Sequence, residues 1–423
     1  MIGAREAALL TLNDIFYNGA YSNLAVKEML KKCRGMNKTD KALFTNLVYG
    51  VISHHYTIEY VIKKYSSVKL KKLARYVRII LELGIYQLVF MDKIPESAAV
   101  NESVKLAKKY CKKGSERFVN GVLRAFAKDG CKIEYPENEL ENMSVMYSFS
   151  EKMTAEFVKQ FGLEFSKELM AALNEAPKLT LRANQLKITP EILADKLQGL
   201  NIQAEVCDGL VYTSGFDIEN NQFYKEGLFS IQDKGAFNAG IALAPLEGET
   251  IIDMCAAPGG KTTHIAELMN DKGRIIACDI HPHKTELINN AAKRLGIKSI
   301  ETRVMDSCVH NPEFSNIFDR VICDVPCSGW GIIRRKPDIK FSSIDLAELY
   351  EIQYSILKNA SDYVKKGGCI VYSTCTVNKH ENEEIIDRFL KENKDFKKVY
   401  EKTFYPHIDG CDGFFICRLV SND

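Results

Sequence analysis

Apolar residues recur at three- and four-residue spacing through the first third of the chain. Ala7, Ala8, Leu10, Leu12, Ile15 and Phe16 form one such set, and Leu43, Phe44, Leu47, Val48 and Val51 another. This is the period of helices with one buried face. Gly19, Gly35, Ser66-Ser67, Pro95, Gly114 and Gly130 break the pattern between segments. The spacing predicts an all-α bundle of about six or seven short helices over residues 1–132. Within it, Lys105, Lys108, Lys109, Lys112 and Lys113 follow i, i+3, i+4, i+7, i+8 and are expected on one helix face. Ala99, Leu106 and Tyr110 can then turn toward the core.

The texture changes after residue 132. Leu179 to Asn184 alternates like a strand, and Ile202 to Cys207, Leu210 to Thr213 and Gly227 to Ile231 read as further short strands. Thr189-Pro190 opens a helix through Leu197, with Thr as N-cap and Pro in the first turn. Residues 133–240 are therefore expected to form a small α+β module. From 241 to 423 the order becomes strand, turn, helix, strand. Expected strands are Thr250 to Met254, Arg274 to Cys278, Arg320 to Cys323 and Cys369 to Tyr372. Expected helices cover roughly 261–269, 282–295 and 345–365. Such alternation predicts an α/β domain with a mostly parallel sheet covered on both faces.

Composition adds a partner class. The 423 residues are 46% hydrophobic and 26% charged, ordinary for a soluble globular protein. The net charge of +2 hides an asymmetry: residues 1–132 carry 24 Lys and Arg against 11 Asp and Glu, and the remainder is acidic. A basic helical third suits a polyanion. A second basic cluster, Lys63, Lys64, Lys69, Lys71, Lys72, Arg75 and Arg78, points the same way. The longest apolar run, Leu83 to Met91, is far short of the ~18 residues a membrane span needs, and Arg5 and Glu6 interrupt any secretory pattern. Thirteen cysteines without a Cys-x-x-Cys pair read as reduced thiols of a cytoplasmic protein, not a disulfide framework or a metal site.

The strongest local signal runs from Ile251 to Thr262: an apolar strand, the small-residue turn Cys255-Ala256-Ala257-Pro258-Gly259-Gly260, then a helix from Lys261. Gly260-Lys261-Thr262 ends like a phosphate loop, but Cys255 stands where that loop needs glycine and Pro258 removes an N–H. An adenosyl or dinucleotide-like ligand at the switch point of an open sheet fits better. Asp279, ending the next strand, can accept ribose hydroxyls, and Asp306 can meet an adenine amino group. Two thiols follow strands at the same edge: Cys327 in Asp324-Val-Pro-Cys327 and Cys375 in Ser373-Thr-Cys375-Thr. Cytosine C5 is a poor nucleophile, and a thiolate adding at C6 makes it an enamine carbon able to attack a methyl group. Asp324 can pair with N3 and the exocyclic amine of such a base. The chemistry leaves open which thiol attacks. DNA cytosine methyltransferases use the Pro-Cys thiol.

These motifs resemble those of the Sun-family RNA cytosine-C5 methyltransferases. Supporting stretches are Phe118 to Arg124, Ile231 to Gly235, Arg334 to Lys340 and Asp412 to Phe415, which with the motifs cover most of the chain. The resemblance implies S-adenosyl-L-methionine as cofactor, a Rossmann-like class I catalytic domain, and an N-terminal NusB-like RNA-binding domain. It implies Cys375 as nucleophile, with Cys327 assisting proton removal and product release. Cys255, Ala256, Ala257, Pro258, Gly259, Gly260 and Lys261 would form the cofactor loop, Asp279 and Asp306 would hold the nucleoside, and Asp324 and Lys261 would lie between cofactor and target base. The implied substrate is protein-free or early-assembly small-subunit (16S) rRNA, at the cytosine at rRNA position 967. Lys105, Lys108, Lys109, Lys112, Lys113, Arg334, Arg335 and Lys336 are expected to touch RNA. Trp330 can stack on a base or merely pack. A monomer without DNA or membrane partners is expected. The alternatives are the same chemistry on tRNA or large-subunit rRNA, and a non-catalytic RNA-binding assembly factor.

Overall fold

The computed structural model describes residues 2–342 and 344–422. They form two compact units: residues 1–174 with 336–342, and residues 175–335 with 343–423, apart from the undescribed positions. The first unit is helical: α1 (Ala4–Asn18), α2 (Ser22–Lys32), α3 (Lys38–Ser53), α4 (His55–Tyr65), α5 (Arg75–Phe90), α6 (Glu96–Tyr110), α7 (Ser115–Lys128), α8 (Glu139–Tyr147), α9 (Glu151–Phe161) and α10 (Leu163–Ala172). α5 is its centre. Every residue from Ile79 to Gln87 is buried, Glu82 and Gln87 included, so a helix buried on all sides accounts for the long, mostly apolar run. Asn138 and Ser150 cap α8 and α9 through the Glu141 and Met153 amides. These three later helices lie with the bundle rather than with the strands that follow.

The insertion Lys336–Ser342 is locked into this unit. Asp338 accepts from the Ser22 hydroxyl at 2.8 Å, and the Lys340 carbonyl accepts from Tyr56 at 3.1 Å. Phe341 packs edge-on against His55 and Phe16. The Lys340 ammonium is buried, donates to the Ser53 carbonyl and Asn174 Oδ1 at 2.8 Å each, and lies over the Phe149 ring. Burial pushes its pKa well below the ordinary lysine value.

The second unit opens with β1 (Leu179–Ala183), α11 (Pro190–Gln198), β2 (Ala204–Cys207), β3 (Leu210–Thr213), α12 (Gln222–Lys225) and β4 (Phe229–Ile231). The four strands form an antiparallel sheet in the order β2-β3-β1-β4. Thr189 caps α11 with Pro190 in its first turn, as the sequence predicts. Then come α13 (Lys234–Leu243), β5 (Thr250–Asp253), α14 (Gly260–Leu268), β6 (Arg274–Asp279), α15 (Pro282–Leu295), β7 (Ile300–Val304) and β8 (Phe318–Asp324). The chain ends with α16 (Leu346–Tyr363), β9 (Val364–Thr374), α17 (Glu383–Glu392), β10 (Phe396–Phe404), α18 (Pro406–Asp409) and β11 (Phe414–Ser421).

The large sheet runs β10-β11-β9-β8-β5-β6-β7. From β7 to β9 it is parallel, and β11 and β10 are antiparallel additions. The chain moves outward from β5 through β6 to β7, then returns to the other side of β5 as β8. That reversal is the Rossmann-like switch point, and it opens a crevice at the carboxyl ends of β5, β6 and β8. The expected strands are all present. β7, β10 and β11 are additions to the expectation; β7 and β10 are sheet edges, and β11 is a mostly buried interior strand. β10 exposes nearly its whole length and carries lysines, so it lacks the half-buried alternation that marks a strand in sequence.

Arg182 of β1 ties the small sheet to helix α14 of this unit. It is 1% exposed. Its guanidinium donates to both Glu267 oxygens on α14 at 2.9 and 2.8 Å, to Gln232 at 2.5 Å, to the Gly260 carbonyl at 2.7 Å and to Thr263 at 3.1 Å. Arg182→Leu leaves the Glu267 carboxylate buried without its partner and is expected to cost about 3–5 kcal/mol in chemical denaturation. Adding Glu267→Leu is expected to recover part of that loss. A double variant no more stable than Arg182→Leu contradicts the pairing.

Candidate active site

Three strand ends deliver acids to the crevice. Asp253 closes β5 and is 1% exposed; its Oδ2 accepts from the Thr262 hydroxyl at 2.7 Å, while its buried Oδ1 has no partner. Burial pushes this carboxyl up to about 7, with Thr262 partly offsetting. Asp279 closes β6 and caps the following turn by accepting from the His281 amide at 3.0 Å. Asp306 lies beyond β7 and accepts from the Cys308 amide at 2.9 Å. Ser307 donates to the Met254 carbonyl at 2.5 Å, which binds this loop to the one after β5.

The small-residue turn is built for close approach. Gly259 has φ +99°, and a Cβ there would stand 3.2 Å from the Ile288 backbone. The turn leads directly into α14, whose first N–H groups face the same loop. A cavity of about 200 Å³ is lined by Asp253, the Cys255 to Pro258 segment, Gly260, Lys261 and Asp324, with Gln232 and Asp233 opposite. An unpartnered buried carboxylate oxygen, a small-residue turn and two further acids in strand order form a set of groups that fits an adenosyl cofactor.

At the edge of the cavity stands the lysine that lines it, and two thiols follow on the loops after β8 and β9. Lys261 Nζ donates to Asp324 Oδ2 at 2.6 Å and lies 5.1 Å from the Phe414 ring centre. Burial works against its charge, but Asp324 outweighs burial and the pKa rises above the ordinary lysine value. Ser373 donates to the other Asp324 oxygen at 2.9 Å. The Cys327 and Cys375 sulfur atoms are 3.1 Å apart, on neighbouring loops beyond β8 and β9. The hydrogen bond with Cys375, then burial, pushes the Cys327 thiol well up.

The basic residues expected at RNA need correction. α6 ends at Tyr110, where Cys111 turns extended, so Lys112 and Lys113 lie in the following turn and do not continue the helical face. Lys105 pairs with Glu102 at 2.6 Å and Lys109 with Glu6 at 2.7 Å; Lys108 is exposed. Arg334 and Arg335 are not open phosphate ligands. The Arg334 side chain is 6% exposed and pairs with Asp412 at 2.7 Å. Arg335 pairs with Asp412 and, at 3.1 Å, with Asp233. Lys336 is exposed, in the segment belonging to the helical unit. Trp330 is buried at 7% exposure, so it packs.

Sequence reasoning missed the residues that hold the loops. Glu381, fully buried, accepts from Ser328, Gln353 and Asn378. Gly331 donates to the Cys375 carbonyl at 3.1 Å and accepts from the Gly413 amide at 2.9 Å. The Gly413 signal was present in the terminal Asp412-Gly-Phe-Phe stretch, but nothing in sequence paired it with residue 331.

Comparison with known proteins matches three regions of the chain. The family described as 16S rRNA methyltransferase RsmB/F matches residues 240–420, the NusB family residues 3–128, and a ferredoxin-like domain of RsmF/B-like methyltransferases residues 150–219. The chain is 38% identical to a probable ribosomal RNA small subunit methyltransferase B of Bacillus subtilis (strain 168), covering 98% of each chain. It is 35% identical to the corresponding probable protein of Synechocystis sp. (strain ATCC 27184 / PCC 6803 / Kazusa), covering 99% of each. Among solved structures, PH0851 superposes with a TM-score of 0.82 at 25% identity, covering 98% of this chain and 97% of that one. NSun6 from Pyrococcus horikoshii with SFG shares the fold at a TM-score of 0.60 and 20% identity, covering 66% of this chain and all of that one.

The close approach of Gly331 to Gly413 is testable. A Cβ on Gly331 would stand 2.0 Å from the Gly413 carbonyl oxygen, so Gly331→Ala is expected to cost about 1–3 kcal/mol. Gly121 in α7 has open space around its Cβ position, so Gly121→Ala is expected to gain about 1 kcal/mol from helix propensity. Calorimetric melts of the two variants should shift in opposite directions; a neutral Gly331→Ala refutes the packing argument.

Proposed function

Because this chain belongs to the RsmB/F family of 16S rRNA methyltransferases, we propose that it methylates C5 of a cytosine in small-subunit rRNA, at rRNA position 967. The observation that carries this reading is the pair of thiols 3.1 Å apart beside an Asp324–Lys261 ion pair at the carboxyl edge of the sheet. A methyltransferase acting on nitrogen or oxygen has no use for two such thiols. Carbon methylation needs one to add to the ring and a second group to help take the C5 proton away.

S-adenosylmethionine supplies an electrophilic methyl group when bound. The segment Cys255 to Lys261 would hold it, with Asp279 available to its ribose hydroxyls and Asp306 to its adenine. The target cytosine leaves its stack to reach the thiols. Asp324 accepts from the exocyclic amine or protonated N3, and Lys261 keeps that carboxylate oriented. Cys375, as thiolate, forms a bond to C6, and the ring electrons collect on C5 as an enamine. After methylation Cys327 assists loss of the C5 proton, and expulsion of Cys375 restores the aromatic ring. The helical unit, with its exposed Lys108, Lys112 and Lys113, contributes RNA affinity.

The deciding experiment is methyl transfer from labelled S-adenosylmethionine to protein-free small-subunit rRNA, with the modified base mapped. Label at C5 of one cytosine supports the reading; label only in tRNA or large-subunit rRNA overturns the substrate. Cys375→Ser is expected to lower turnover by about 10³-fold or more. Cys327→Ser is expected to trap a covalent RNA adduct on a denaturing gel. Full activity without an adduct overturns the role given to Cys327.

A further inference from the structure

The parallel ladder between β8 and β9 ends where the chemistry begins. Its last bond runs from the Val325 amide to the Ser373 carbonyl at 3.1 Å, and Pro326 has no amide to continue it. Past that point, backbone pairing no longer fixes the distance between the Cys327 and Cys375 loops. A separate set of buried polar groups does so. Glu381 Oε2 accepts from the Ser328 amide at 2.7 Å and from Gln353 Nε2 at 2.9 Å. Its Oε1 accepts from the Ser328 hydroxyl at 2.5 Å and from Asn378 Nδ2 at 3.0 Å. With its proton on Glu381, the Ser328 hydroxyl accepts from Thr376 at 2.9 Å. Gln353 also donates to the Pro326 carbonyl at 2.9 Å. Asn382 accepts from the Thr374 hydroxyl at 2.6 Å and donates to the Thr376 carbonyl at 3.1 Å. The residues on both sides of each cysteine are thus tied into one network.

We propose that Glu381 is the positioning residue of this site: its buried carboxylate clamps the loop after β8 to the loop after β9 and so holds Cys327 and Cys375 at reacting distance. Glu381 has no exposed surface, so it does not touch RNA or cofactor. The Tyr372 hydroxyl donates to its carbonyl at 2.7 Å, which pins the backbone as well. All four groups facing the carboxylate are donors. A glutamine offers only one acceptor oxygen, and its amide would face two donors. A burial this complete is tolerable for a charged carboxylate because four hydrogen bonds replace its water. Its use in catalysis rests on the reading that both thiols serve one reaction; its effect on thiol geometry does not.

The test uses full-length protein and two readouts. In the first, diamide oxidises the RNA-free protein: the two thiols lose two electrons and two protons to the reagent and form an S–S bond. The linked Cys327–Cys375 peptides are followed by mass spectrometry. Glu381→Gln is expected to slow this cross-link about 10-fold, and its kcat to fall about 10–100-fold, as expected for a displacement near an ångström. KM for rRNA and affinity for S-adenosylmethionine are expected to stay within about two-fold, since the clamp lies outside the cofactor loop. An unchanged cross-linking rate, an unchanged kcat in a wild-type enzyme that methylates rRNA, or a wild-type protein that never forms the linked peptide overturns the proposal. If Glu381→Gln fails to bind S-adenosylmethionine, Ser328→Ala, which removes the hydroxyl and keeps the amide, decides by the same cross-linking rate. A wild-type protein that methylates no RNA but loses its cross-link in Glu381→Gln refutes the C5 reading and leaves the clamp standing.

Discussion

Arg182 is a cation that the second unit has taken out of water, and the geometry of that unit depends on satisfying it. Such a group is stable only when hydrogen bonds from fixed partners replace its hydration. Five acceptor contacts do this, and they come from α14, from the residue after β4 and from the carbonyl that begins α14. One side chain therefore fixes the antiparallel sheet against the helix whose second residue is Lys261. The Gly260 carbonyl held by Arg182 lies one peptide from the lysine that pairs with Asp324.

The carboxyl edge shows the same constraint twice more. Glu381 satisfies the loops bearing the thiols, and Asp412 receives Arg334 and Arg335 while its own amide donates to Asp233. Asp233 also caps α13 and accepts from Arg335. Each cluster joins segments far apart in sequence, and each is buried enough that an unmatched member would be costly. The reacting groups, by contrast, have fewer partners. Asp324 has Lys261 and Ser373 and remains partly exposed, ready to meet a base. A site held by buried networks and presenting a few accessible groups is pre-organised for a substrate that must be unstacked before it can enter.

The basic character of the N-terminal third is shaped by the same local pairing. Of the residues that give it its charge, Arg78 lies between Glu59 and Glu82, Lys64 reaches Glu134, and Lys105 and Lys109 have acidic neighbours. Net charge sets the long-range field that draws a polyanion. It does not say which ammonium groups remain open at contact distance, because each is shared out by local geometry. Among the five lysines whose spacing predicts one helix face, two fall beyond the helix end: spacing continues in sequence after the backbone has turned.

The sequence alone determined the features that local rules dictate. Strand and helix order, the Thr189-Pro190 cap, the glycine turn after β5 and the strand-end positions of Asp279, Asp324, Cys327 and Cys375 all arise from periodicity, turn chemistry and the two-sided burial of a parallel sheet. The edge strands β7 and β10 escaped because an edge is not buried evenly enough to leave a pattern, whereas β11, a buried apolar run in the sheet interior, carries a strand pattern that the expectation left out. Tertiary structure decided which side chains meet: Arg182 with Glu267, Gly331 with Gly413, Glu381 with both cysteine loops, and Arg334 with Asp412 rather than with a phosphate. Those pairings join residues far apart along the chain, and a polar residue's spacing does not record whether folding will bury it or which donor will face it. Burial converts an ordinary Glu or Arg into a fixed point of the site, and burial is a property of the packed chain.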